Sequence, residues 1–135
     1  MGPSKVFKSG IVALAGKPNV GKSSLLNALL DYKLAIVSDK PQTTRTSIRG
    51  VLNRPGLQFI ICDTPGLHLP RHALGRAIVS NAETALEASD IVCLVIDGTD
   101  REIGAEDREV VAKILKAARP VILAVNKMDL VKNNE

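Results

Sequence analysis

Gly16-Lys17-Pro18-Asn19-Val20-Gly21-Lys22-Ser23-Ser24 stands between an apolar run, GIVALA at 10–15, and a helical pattern, SSLLNALL at 23–30. Strand, glycine loop and helix in that order read as a phosphate-binding loop. In the Gly-x-x-x-x-Gly-Lys-Ser spacing, the glycines let successive backbone N–H groups turn inward around the α- and β-phosphates of a nucleotide. Lys22 reaches the β- and γ-phosphates, Ser23 offers its hydroxyl to Mg2+, and the helix start adds free N–H groups and a partial positive charge. All nine residues of the loop are candidates for nucleotide contact. The bland alternative is a glycine turn that joins strand to helix and holds nothing.

Outward from the loop, Met1 to Ser9 reads as a loose leader and Gly10–Ala15 as the first strand. The helix over 22–30 has Leu25, Leu26, Leu29 and Leu30 on its buried side. Residues 31–46 lose all periodicity, contain Pro41, and are too long for an ordinary connection, the pattern of a functional or a mobile segment. SIRGVLNR and LQFIICD, split by Pro55-Gly56, read as an antiparallel hairpin. TPGLHLPRH is a loop, 73–89 a helix, 91–96 an apolar strand, and 105–118 a helix with Val110, Val111, Ile114, Leu115 and Ala118 on its apolar face. VILAV at 121–125 is the next strand. Strands alternating with helices after one hairpin predict an α/β fold: a doubly wound, mostly parallel sheet with one antiparallel strand. Ligands bind beyond the carboxyl ends of such strands.

Composition agrees with that class. Hydrophobic residues make up 45% of the 135, while Phe7, Tyr32 and Phe59 are the only aromatics, so aliphatic side chains must fill the interior. Residues 1–60 carry nine Lys or Arg against two acids and residues 61–135 nine against twelve, so the basic half is the half with the phosphate loop. Without an aromatic platform for stacking bases, direct nucleic-acid binding is weakly supported. No run is long enough to span a membrane, and no secretion-signal pattern precedes Lys17. Cys62 and Cys93 lie in strand-like runs without metal-type spacing, as small core residues of a reduced, cytosolic protein do.

Two further motifs lie at strand ends. Asp63-Thr64-Pro65-Gly66 follows LQFIIC: the Asp63 carboxylate can hold Mg2+, and the Gly66 N–H can meet a γ-phosphate oxygen. Taken alone, Asp-x-x-Gly is a common surface turn. Asn126-Lys127-Met128-Asp129 follows VILAV. The Asp129 carboxylate can accept from both the ring N–H and the exocyclic amine of guanine, a donor pair that adenine lacks. Asn126 holds the loop and approaches the other base edge, and the Lys127 stem packs along base or ribose.

GKPNVGKSS, PQTTR at 41–45, DTPGLH at 63–68 and ILAVNKMDL at 122–130 together resemble the GTPase domain of the Era family of bacterial ribosome-assembly GTPases. The tRNA-modifying GTPase MnmE and the double GTPase Der share the loop pattern, but PQTTR with DTPGLH favours the Era family. The resemblance implies a three-layer P-loop NTPase fold, GTP and GDP as ligands, Mg2+ as cofactor held by Ser23, Thr44 and Asp63, and segments 31–46 and 63–75 as switches I and II. Thr44, in preference to Thr43, closes over Mg2+ and the γ-phosphate. Leu67 stands where Ras-like enzymes place a water-orienting glutamine, so intrinsic turnover is expected to be slow. Asn19 then offers a second route, binding K+ beside the phosphates to offset developing charge. Lys22, Thr44, Gly66 and Asn19 are the candidate catalytic residues. His68 and His72 read as solvated loop residues, and Arg45 as an exposed guanidinium.

The same resemblance implies 16S rRNA and the 30S ribosomal subunit as partners, chiefly through a KH RNA-binding domain, and a cytoplasmic location with peripheral contact to the inner membrane. The family pattern continues with a further strand, a base-supporting loop, a final helix and the KH domain, whereas six residues follow Asp129. The expectation is therefore an incomplete GTP-binding domain lacking the last strand and helix, with VILAV as an exposed sheet edge. A GTP-hydrolysing switch is the first functional reading, a nucleotide-binding interaction module with negligible turnover the second, and an ATP-handling protein the third.

Overall fold

The strand that leads into the glycine loop is the middle of the sheet. The computed structural model describes residues 6–30, 48–63 and 83–132. Within them β1 (Lys8–Ala15), β2 (Ile48–Arg54), β3 (Leu57–Asp63), β4 (Ile91–Asp97) and β5 (Val121–Asn126) form one sheet in the order β2-β3-β1-β4-β5. The pairs β1/β3, β1/β4 and β4/β5 are parallel and β2/β3 is antiparallel, as the hairpin at Pro55-Gly56 requires.

Alternation along β1 sorts its side chains onto two layers. Leu14 packs with Leu26 and Leu30 of α1 (Lys22–Leu30) and with Ile61 on one face. Ala13 and Ala15 pack on the other with Leu86, Val110 and Ile114. Leu86 lies in a helix over 83–88 (α2), and Val110 and Ile114 lie in α3 (Ala105–Ala117). The three-layer doubly wound architecture thus follows from small alanines admitting α2 and α3 on one side and Leu14 meeting leucines on the other.

Several boundaries move once partners are visible. Lys8 and Ser9 belong to β1 rather than to a leader, because they pair with Leu57 and Gln58 of β3. On α1, Leu29 is exposed while Leu26 and Leu30 are buried. On α3, Val110 and Ile114 are buried, whereas Leu115 is 70% exposed and Val111 also lies at the surface. The helix stops at Ala118, whose φ of 53° is left-handed and whose N–H donates to the Leu115 carbonyl. Its start is fixed by Asp107, whose Oδ2 accepts from the Gly104 N–H at 3.1 Å. Cys62 is buried and Cys93 half-buried, both as free thiols, and burial pushes the Cys93 thiol above its ordinary range. Among the described residues β5 is an edge strand, with Val121, Ile122, Leu123 and Val125 exposed. Of the helix expected over 73–89, residues 73–82 lie outside the described residues.

Ile114→Ala removes a side chain that is 2% exposed in the layer between α3 and the sheet. It is expected to lower unfolding stability by about 2–4 kcal/mol, read from the urea midpoint at unchanged m-value. Leu115→Ala, one residue on but at the surface, is expected to stay within about 0.5 kcal/mol.

Candidate functional site

Parallel strands carry their carboxyl ends to one edge, and the sequence motifs gather there. Ala15 closes β1, Gly16 is buried, and the loop runs to Gly21 before Lys22 opens α1, whose first turn is set by the Leu25 N–H donating to the Gly21 carbonyl at 2.9 Å. Asn19 takes a left-handed φ of 66° and Gly21 a φ of 104°. A side chain at 21 would be strained and would collide with Asn126 Nδ2, so the loop's second glycine is required by its neighbour as well as by its turn. The Lys22 residue is buried, and its Nζ donates to the Gly16 and Lys17 carbonyls at 2.9 Å each. The loop therefore curls around its own ammonium group, the charge being compensated by carbonyl dipoles.

The neighbours of that lysine behave differently. Lys17 Nζ pairs with Asp100 Oδ2 at 2.5 Å and Asp107 Oδ2 at 3.2 Å, which ties the loop to the start of α3. These acids, Asp100 first, raise the Lys17 pKa above its ordinary value. Val20 is buried, Pro18 half-buried and Asn19 exposed. Ser23 and Ser24 lie in the first turn of α1.

The Asn126-Lys127-Met128-Asp129 segment at the end of β5 is joined directly to this loop. Asn126 Nδ2 donates to the Val20 carbonyl at 2.9 Å, and Lys127 Nζ donates to the Asn19 carbonyl at 2.8 Å. Lys127 has a left-handed φ of 59° and leads into a 3-10 turn, Met128–Leu130, on which Asp129 is exposed. Lys127 Nζ also pairs with Asp97 Oδ2 at 2.7 Å. The Lys127 bond first, and the Thr99 bonds next, hold the Asp97 carboxyl down at about 2. A carboxyl lowered by folding adds stability above its ordinary range and loses that contribution as pH falls through about 2, so this contact stays ionised near neutrality.

Register brings in the Asp63 backbone: it pairs with Leu14, two residues before Gly16. Thr43, Thr44, Arg45, Gly66, Leu67, His68 and His72 lie outside the described residues, as do all of the expected switch I and all of the expected switch II after Asp63. Among the described residues no three His, Cys, Asp or Glu form a metal cluster. Mg2+ held by one or two protein oxygens and phosphate oxygens needs no such cluster, and the Ser23 hydroxyl in the first turn of α1 fits that donor set. Asp97, Thr99, Asp100 and Asp107 are site neighbours that sequence reasoning passed over. Asp97-Gly98 repeats the pattern of a strand ending on a carboxylate that had singled out Asp63, and that was the available signal.

The profile of a family described as 50S ribosome-binding GTPase matches residues 11–127. GTPase Era of Nostoc sp. is 46% identical over 123 residues, covering 91% of this chain and 38% of that protein. A crystal structure of Era in complex with MgGDPNP and nucleotides 1506–1542 of 16S ribosomal RNA matches with a TM-score of 0.87 at 42% identity, over 93% of this chain and 42% of that one. A variant of Aquifex aeolicus Era bound to GDP and aluminium fluoride gives 0.85 at 42% identity, over 90% and 42%. This chain spans 38–43% of the length of such curated relatives.

Proposed function

Since this chain belongs to the family of 50S ribosome-binding GTPases and has Era proteins as relatives, we propose that residues 1–135 form the GTP-binding part of a GTP-hydrolysing switch. One observation carries the reading: Asn126 and Lys127 donate to the Val20 and Asn19 carbonyls. Those two bonds join the Asn126-Lys127 turn to the 16–24 loop, which supports reading the two as the base-binding and phosphate-binding parts of one nucleotide site.

On this reading the loop residues 16–24 cradle the phosphates, and the Lys22 ammonium leaves part of its carbonyl coordination to meet the β- and γ-oxygens. Asn126 braces the loop, the Lys127 stem lies along the base, and Asp129 accepts from guanine. Ser23, Thr44 and Asp63 would hold Mg2+, which when bound would offset the negative charge of the phosphate oxygens. The Gly66 N–H donates to the γ-phosphate. Asn19 contributes to a K+ site beside the phosphates.

The wider assignment extends from the relatives. Era with a 16S rRNA segment is among the matched structures, and we assign to the parent protein a role in small-subunit assembly, with 16S rRNA and the 30S subunit as partners through an RNA-binding KH domain. A cytoplasmic location with peripheral contact to the inner membrane belongs to the same reading. No helix among the described residues is long and apolar enough to cross a membrane.

Single-turnover hydrolysis of GTP with Mg2+ tests the switch. Intrinsic rates of roughly 10⁻⁴ to 10⁻² s⁻¹ are expected, faster in K+ than in Na+ by about tenfold or more, with Asn19→Ala removing the difference between the two cations. Equal rates in both cations would remove Asn19 from the mechanism. GTP binding with no phosphate release would leave the interaction-module reading instead.

A further inference from the structure

β4 ends on a carboxylate that the proposed nucleotide chemistry does not use. Register sets Asp97 opposite Asn126, and the two strand ends are locked there: the Gly98 N–H donates to the Asn126 carbonyl at 2.8 Å. A Cβ at position 98 would stand 2.6 Å from Met128 Sδ and 2.9 Å from the Asn126 carbonyl oxygen, so the turn after β4 lies directly against the base-reading turn.

The carboxylate is itself oriented before it reaches Lys127. Its Oδ1 accepts from the Thr99 backbone N–H at 2.9 Å and the Thr99 hydroxyl at 2.6 Å, which leaves Oδ2 for the Lys127 ammonium at 2.7 Å. The same ammonium donates to the Asn19 carbonyl at 2.8 Å. Lys127 is thus held at its tip by two different loops and at its backbone by a left-handed φ. A four-carbon stem fixed at both ends is a rigid apolar strip between the phosphate loop and the turn bearing Asp129; freed at the tip, it would be a solvated chain with many rotamers.

We propose that Asp97, oriented by Thr99, is a positioning residue for base recognition: it holds Lys127 across the site and so fixes the turn from which Asp129 meets the base. The proposal rests on the guanine-nucleotide reading above. Asp97 touches no nucleotide in this account and acts through Lys127. Asp97→Asn keeps the shape but loses the negative charge facing the ammonium, and Thr99→Ala keeps the charge and the backbone N–H bond but removes the hydroxyl that helps orient the carboxylate.

Titration of this chain with GDP, IDP, ADP and inorganic tripolyphosphate tests it. Tripolyphosphate reports the phosphate loop alone, and IDP, which lacks the exocyclic amine, reports how well Asp129 is presented. Asp97→Asn is expected to weaken GDP about tenfold, to move the GDP-to-IDP preference towards unity, and to leave tripolyphosphate within about twofold. In a Lys127→Ala background it should cost nothing further. Thr99→Ala should shift GDP in the same direction by less, and it carries the test if Asp97→Asn does not fold. Equal loss of GDP and tripolyphosphate would reduce Asp97 to general scaffolding and overturn the proposal, as would an unchanged GDP-to-IDP preference or additive losses with Lys127→Ala. An unmutated chain that prefers ADP to GDP overturns the guanine reading itself. A guanine preference that survives Asp97→Asn intact overturns only the role of Asp97.

Discussion

Lys22→Ala is expected to reduce single-turnover GTP hydrolysis by about 10²–10³-fold or more and to weaken nucleotide triphosphates more than the bare nucleoside. The Lys22 residue is 7% exposed, and its ammonium lies 2.9 Å from each of two loop carbonyls. It is therefore held inside the loop, and it exchanges part of that carbonyl coordination for phosphate oxygens when the nucleotide binds. A cation fixed in a poorly solvated loop interacts with phosphate oxygens far more strongly than one in water. Charge that grows on the β–γ bridge in the transition state meets it without reorganisation. Lys22→Arg should not rescue, because a planar guanidinium cannot reproduce a compact ammonium between two carbonyls. The fold should survive, since Leu26, Leu30 and Val20, the apolar anchors of this region, are untouched. An unchanged rate with unchanged melting temperature would remove the phosphate-loop reading altogether.

Asp129→Asn is expected to weaken GTP by about 10²-fold or more while improving XTP relative to it. The argument is donor matching. Guanine presents a ring N–H and an exocyclic amine to a carboxylate, whereas xanthine carries a carbonyl in place of the amine. An amide can donate to that carbonyl and accept from the ring N–H, so the substitution inverts one hydrogen bond and keeps the other. With xanthine bound, the unmutated site would leave a carboxylate facing an acceptor. Asp129 is exposed on its 3-10 turn, so the loss should appear in binding and not in folding. Competition among GTP, XTP and ATP in both proteins measures it. A variant that keeps its preference for GTP would show that another group reads the base.

Most of the architecture was legible in one dimension because each local pattern has a unique partner-independent reading. The Gly16–Ser24 spacing, the apolar runs before it and after it, and the Pro55-Gly56 turn all act through contacts within a few residues. Where a reading depended on what lay opposite, it slipped. β1 begins at Lys8 because β3 offers Leu57 and Gln58 to pair with it. Leu29 and Leu115 sit in apolar helical stripes but at the surface, since a 3.6-residue period defines a stripe and only packing decides which part of it is covered.

The order of elements, the parallel α/β class and the candidate roles of Lys22, Asn126 and Asp129 were determined by the chain's local chemistry, because phosphate loops and base-reading turns are short-range devices written in contiguous residues. Tertiary structure alone decided that Lys17 turns to Asp100 and Asp107, and that Asp97 holds Lys127 against the Asn19 carbonyl. Those partners lie 83, 90, 30 and 108 residues apart. The strand order β1-β4-β5 brings three carboxyl ends to one edge, where these separate contacts form.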